Sequence, residues 1–252
     1  MPSNLTCAIR LLPLAALLIA AGTAGARAQN INEPEVTKGQ TKLESFSVFQ
    51  SGFNAGAAGD VREIHNVNYY RGITEFWQIK AFLALERPEY ESYRATQAVL
   101  ENTFELVNAK KSGGLGLAWF TAFSAAVHNE ETNAVLLGPI VRIGEGRTSL
   151  ILNPFIEKTY GQNREEGLAF VYGWQLKHEV RKGFWVGLEG FGKLPDITGE
   201  KGPEEHKIGP LLTWEIELAN KRTLGFEMGV LFGLTDATPD TAVKVQITYS
   251  FE

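Results

Sequence analysis

The sequence predicts an all-β protein, a transmembrane antiparallel up-and-down β-barrel of about twelve strands. Three observations carry that expectation: an apolar leader, long segments in which apolar and polar residues alternate, and connections that alternate between short and long.

The leader comes first. Arg10 precedes an apolar run from Leu11 to Ala21, and Ala26-Arg27-Ala28 places small residues at the two positions a signal peptidase reads. A helical span needs roughly 20 apolar residues, about twice what this run supplies. Residues 1–28 are therefore read as a cleaved signal peptide, 29–40 as an N-terminal periplasmic segment and 41–252 as the barrel. Cleavage before Gln29 removes Arg10 and Arg27 and no acid, which takes the net charge from −5 to −7. An acidic chain of this kind is not expected to bind nucleic acid. Cys7, the single cysteine, leaves with the leader, so no disulfide or thiolate metal site is expected. After the leader no stretch is apolar enough for a membrane helix.

The strands follow in order. Between 41 and 159 the alternation is less regular, and strands are read at 41–50, 61–70, 73–84, 93–107, 115–128, 133–143 and 148–159. At 166–179, Leu168, Phe170, Tyr172, Trp174 and Leu176 alternate with Gly167, Gly173, Gln175 and Lys177. A strand at 183–193 comes next. At 206–218, Ile208, Leu212, Trp214, Ile216 and Leu218 alternate with Lys207, Thr213, Glu215 and Glu217. At 222–233, Leu224, Phe226, Met228, Val230 and Phe232 enclose Gly225, Glu227 and Gly229. The last strand, 241–251, is the clearest: Val243, Val245, Ile247, Tyr249 and Phe251 alternate unbroken with Lys244, Gln246, Thr248 and Ser250. Most of these segments reach the roughly 9–11 residues that a tilted strand needs to cross a bilayer.

The connections give an independent check. Inner turns at Arg71-Gly72, Asn108 to Gly114, Gly144 to Arg147, Arg181-Lys182 and Ala219 to Arg222 are short and mostly basic. Outer loops at Arg87 to Ser92, Tyr160 to Glu166, Leu194 to Glu205 and Thr235 to Asp240 carry prolines and acidic pairs. Pro139, Pro154 and Pro210 fall inside strands and delete ladder donors. Bulges at Gly138-Pro139 and Gly209-Pro210 are the expected accommodation.

A soluble sandwich alternates too, with its apolar face inward. The leader, the strand length and the small residues on the polar face (Gly167, Gly173, Gly225, Gly229) favour the inverted arrangement, with lipid outside. Tyr69, Tyr70, Trp77, Trp119, Trp174, Trp214, Tyr249 and Phe251 are then candidates for interfacial girdles. The wet faces supply candidate lumen-lining residues: Lys80, Asn153, Gln175, Lys177, Glu189, Glu215, Glu217, Glu227, Lys244 and Gln246, with Gln78, Gln97, Glu101, Glu105 and Glu157 beside them. Opposite charges there would either select small solutes by a transverse field or pair, as Glu227 and Glu215 with Lys244 and Lys177, and plug the bore.

An enzyme is not expected. None of His65, His128, His178 and His206 lies in a His-x-Ser or His-x-x-x-His pattern, and Gly113-Gly114-Leu115-Gly116 lacks the Lys-Ser/Thr of a phosphate loop. No cofactor or metal site is indicated.

The aromatic ending, Tyr249 and Phe251 before Glu252, resembles the C-terminal signature by which the outer-membrane assembly machinery recognises its clients. The stretches EHKIGPLLTWEIEL (Glu205 to Leu218) and MGVLFGLTDATPDTAVKVQITYSFE (Met228 to Glu252) resemble proteobacterial outer-membrane barrels of the family labelled for the meta pathway of phenol degradation. The likeness covers about the last fifty residues. It implies a transporter-like barrel in the outer membrane of a Gram-negative bacterium, serving small, hydrophobic or aromatic solutes. The expected partners are the lipid bilayer and lipopolysaccharide, the assembly machinery through the last strand, and a small solute. The competing expectation is a non-conducting structural or interaction barrel with a plugged lumen.

Overall fold

Residues 30–52, 61–88, 90–128, 131–144, 146–162, 164–199 and 202–252 are described in a computed structural model of the chain. The leader expected over 1–28 and parts of five outer loops and one inner turn lie outside the described residues. Twelve strands run in chain order: β1 Thr41–Ser51, β2 Val61–Gly72, β3 Trp77–Pro88, β4 Arg94–Val107, β5 Leu115–Ala126, β6 Asn133–Ile143, β7 Thr148–Tyr160, β8 Ala169–Arg181, β9 Phe184–Leu194, β10 Glu205–Leu218, β11 Arg222–Gly233 and β12 Thr241–Phe251. Each pairs antiparallel with its neighbours in sequence, and β1 pairs with β12 from Thr41↔Phe251 to Ser51↔Thr241, so the sheet closes. Closure leaves no edge donors, which is what a sheet in hydrocarbon requires.

Which face points outward follows from exposure. Leu43, Val67, Leu83, Leu100, Phe123, Leu137, Leu176, Leu188, Leu212, Met228 and Ile247 are all exposed on the outer surface, one from every strand but β7, and Val67 is 67% exposed. Residues of the opposite strand face, Glu44, Asn68, Lys80, Glu101 and Lys244 among them, are buried inside the ring. This is the inverse of a soluble barrel, and it spans a lipid bilayer by presenting hydrocarbon to hydrocarbon. At the short-turn end, Trp77 stacks on Phe104 at 6.1 Å, Trp214 lies beside Phe226 and Tyr249 beside Phe251, a partial aromatic belt.

Several expectations change. β3 begins at Trp77, not at residue 73: Arg71 and Gly72 belong to β2, and the turn is Ile73 to Phe76. There the Thr74 hydroxyl accepts from the N–H groups of Phe76 and Trp77. The two-residue turn after β8 is Lys182-Gly183, with Gly183 at φ 74°. Gly167 lies in the loop before β8, not on its polar face. Tyr70 points into the bore, because its neighbour Tyr69 takes the outward position.

The prolines cause no bulge. Leu137↔Ile156 and Val141↔Leu152 keep one register, which sets Pro139 directly across from Pro154, and the ladder is interrupted between them. Two residues without an N–H face each other there, so neither proline leaves a facing ladder donor unpaired. Pro210 likewise sits in a gap against β11 while its pairing with Leu188 of β9 continues. Register shifts occur instead near strand ends, as at Ala84/Leu85 and Glu179/Arg181.

The largest departure concerns the segment expected to stand in the periplasm. From Asn30 to Val36 it lies within the barrel.

Candidate functional site: the bore and the segment inside it

The wall of the bore changes character along its length. Two apolar clusters form a band within it, Phe120, Ile140, Ile151 and Phe155 on β5 to β7 and Phe46, Val48, Ile64 and Phe191 on β1, β2 and β9, while Glu86, Glu131, Glu157, Lys193 and Lys207 are buried nearer the long loops. Towards the short-turn end the wall is polar and encloses a cavity of about 360 Å³, lined by Lys42, Glu44, Tyr70, Gln78, Lys80, Glu101, Arg142, Gln175, Lys177, Glu215, Glu227 and Gln246. The N-terminal segment joins the two zones. Ile31 packs against both apolar clusters and so bridges opposite walls. Below it, the Asn32 N–H donates to Asn153 Oδ1 at 2.7 Å, and Asn153 Nδ2 donates back to the Asn32 carbonyl at 3.0 Å. Glu33 meets Lys177 at 3.6 Å, Glu35 meets Arg142 at 3.1 Å, and the Val36 N–H donates to Glu105 at 2.9 Å.

The wall is recessed where this segment passes. A Cβ at Gly173 would stand 2.8 Å from Ile31, one at Gly116 would stand 3.0 Å from Pro34, and one at Gly72 would stand 2.0 Å from the Thr37 carbonyl. Glycine is needed at Gly72, where backbone meets backbone and nothing can give. Arg71 then clamps the exit by donating to the Gly39 carbonyl and the Thr41 hydroxyl, both at 2.7 Å. Because Cys7 is the single cysteine of the sequence, an Ile31→Cys variant in a Cys7→Ser background reports docking by its rate of maleimide labelling. Adding Gly173→Leu, which fills the space of the residue-31 side chain, should speed labelling roughly tenfold, the equivalent of about 1.4 kcal/mol of docking lost. An unchanged rate would mean that the segment does not rest there.

The expected lumen residues are placed as follows. Lys80 meets Glu101 at 3.3 Å and lies over the rings of Tyr70 and Phe82. Asn153 holds the segment. Gln175 donates to both Glu189 and Glu227, each at 3.2 Å. Lys244 is fully buried and bonds Glu189 at 2.5 Å and Glu227 at 3.0 Å. Gln246 donates to Glu44 at 2.8 Å. Lys177 does not pair with Glu215, as the plugged reading supposed. It is drawn to Glu33 and, at 4.0 Å, to Glu227. Glu215 lines the cavity and is exposed. Glu217 is at the rim, also exposed, and pairs with Lys182 of the turn at 3.2 Å.

Sequence reasoning missed Glu44, Arg142 and the segment itself. Glu44 accepts from Asn68, Tyr70, Gln246 and Thr248, drawn from β1's two neighbouring strands. Its alternation with Leu43 was a usable signal. Residues 30–36 carry no periodicity, and nothing local marked them. Within the segment the two acids differ. Burial opposes the charge of Glu33, but Lys177, Lys42 and Arg142 hold its carboxyl below the usual range. Burial and the charge of Glu33 push the Glu35 carboxyl up, against the pull of Arg142.

Three histidines meet hydroxyls: His178 Nδ1 lies 2.8 Å from Thr148 Oγ1, His206 Nδ1 lies 2.8 Å from the Tyr172 hydroxyl, and His65 meets a serine. On the outer face, His65 Nδ1 and Ser47 Oγ are 2.8 Å apart across β1 and β2, and His65 Nε2 is 3.1 Å from the Tyr93 hydroxyl and 3.5 Å from Glu63. No within-strand motif could disclose this pair. Ser47 sits in ladders that run unbroken on both sides, against Val245 and His65, and acyl transfer needs N–H donors free to hold an oxyanion. The cluster satisfies polar groups near the long-loop end and is not read as catalytic.

No family model matches the chain and no curated protein matches it. Among solved structures it is similar to the KdgM porin, at 9% identity and a TM-score of 0.56, over 84% of this chain and 99% of that one. It is also similar to the NanC porin, at 7% identity and a TM-score of 0.53, over 83% and 99%. The shared feature is the fold, a closed antiparallel barrel. At such identities the likeness speaks for the fold alone, so what the barrel carries has to be argued from its own bore. None of these comparisons shows the meta-pathway likeness of the last fifty residues.

Proposed function

We propose that the chain is an outer-membrane channel of a Gram-negative bacterium for passive movement of small solutes, held shut in this conformation by residues 30–36. The observation that carries the reading is the recessed seat of that segment. The polar cavity is broad enough for a small molecule, and what fills the passage between the polar and apolar zones is a removable peptide as well as wall side chains. The apolar walls that Ile31 touches suit a solute with a hydrophobic part, which is the class implied by the resemblance of the C-terminal residues. In this reading the short basic turns face the periplasm, the long loops meet lipopolysaccharide, and β12 is the segment that the assembly machinery engages.

Single-channel recording in planar bilayers tests the proposal. The mature chain should give rare, small steps. Asn153→Ala, which removes both hydrogen bonds to Asn32, should raise the open fraction several-fold, since each bond contributes about 1 kcal/mol. The buried Lys244 cluster favours a second reading, a non-conducting barrel, and silence of every folded variant would select it.

A further inference from the structure

The segment inside the bore has the chemistry of a ligand. Ile31 puts a branched alkyl group between the two apolar walls. Two residues on, Glu33 sets a carboxylate before Lys177, with Lys42 and Arg142 close enough to act on it. Glu35 adds a second carboxylate on Arg142. Residues two apart on an extended chain project to the same side, about 7 Å from one another. If the segment leaves, Arg142 and Lys42 have no other ion-pair partner among the described residues, and Lys177 keeps only Glu227 at 4.0 Å. The vacated site would then offer an apolar slot above a cluster of three cations, beside a cavity already open to solvent.

We infer that the bore contains a binding site for an organic acid with an apolar body, which residues 31–35 occupy as an internal competitor: alkyl group for Ile31, carboxylate for Glu33. The inference rests on the channel reading for its role in transport, but the site is a matter of binding. A monocarboxylate with a hydrocarbon chain satisfies the slot and Lys177 together. A bare carboxylate engages only the cations, and an alcohol of the same length engages only the slot.

Isothermal titration with hexanoate, acetate and hexanol tests this on the mature chain, on a chain lacking residues 29–35, and on Glu33→Gln in the full-length mature chain. The truncated barrel should bind hexanoate at least tenfold more tightly than the mature chain does, and hexanol and acetate much more weakly. Glu33→Gln, which keeps the segment but weakens its hold, should fall between them and guards against a truncation that fails to fold. Lys177→Met in the truncated chain should abolish the preference for hexanoate over hexanol. Equal hexanoate affinity with and without the segment would overturn the inference, as would acetate binding as well as hexanoate does. Conductance is recorded on the same samples. Current through the truncated chain without selective hexanoate binding leaves the channel and removes the site. Selective binding in a silent barrel leaves the site and removes the channel.

Discussion

Replacing Lys244 with Met should cost roughly 3–5 kcal/mol of barrel stability, the range for removing one partner from a buried ion pair. Lys244 has no solvent exposure, its ammonium bonds Glu189 and Glu227, and Phe191 covers it at 5.4 Å. Without it two carboxylates confront each other with Gln175 as their common donor, in space that Gly229 opens for the Glu189 side chain. Removing one charge with Glu189→Gln in the Lys244→Met background should recover a large part of the loss, because the deficit comes from unpaired charge and not from lost volume. The measurement is the temperature at which the folded band disappears in unboiled gel electrophoresis. If Lys244→Met melted with the parent, water would have to reach the cluster freely, and the bore would be open at that level.

Ile247→Arg should be nearly as damaging, at about 2–4 kcal/mol for a cation near the bilayer midplane. Ile247 lies near the middle of β12, facing outward and 42% exposed. Its neighbour Gln246 faces inward onto the carboxylate of Glu44, so Gln246→Lys puts a charge one residue away into water and beside an acid. Reversible unfolding from lipid vesicles should separate the two variants clearly. Equal tolerance at 246 and 247 would contradict the membrane placement, since an aqueous exterior has no reason to reject Arg at one position and accept Lys at the next.

The strands could be read in the sequence because the strand period is two residues and lipid and lumen impose opposite chemistry on successive side chains. The stretch from Thr241 to Phe251 agrees with its structure residue for residue. Where reading slipped, at the start of β3, the cause was a four-residue turn whose Ile73 and Phe76 look like strand residues and whose determinant is the hydroxyl of Thr74. The prolines misled for a related reason: a bulge is a property of one strand, whereas the gap that holds Pro139 and Pro154 exists only because two strands meet in one register.

The candidate site was legible as a set of inward polar residues and not as an arrangement. Alternation assigns Lys177, Glu227 and Lys244 to one face, but partnership depends on which strands adjoin and how far they are offset. Lys177 therefore meets Glu33 and not Glu215, and Ser47 meets His65 from a separate strand. By itself, the sequence determined that the chain is a succession of long amphipathic strands, because alternation is local and repeats at every second residue; closure of the ring and the outward exposure of its apolar side belong to the structure. Only the tertiary structure decided that residues 30–36 fold back into the ring and bridge its two apolar walls. Such a contact spans more than a hundred residues between Asn32 and Asn153, and its favourable free energy exists only once the barrel has closed around it.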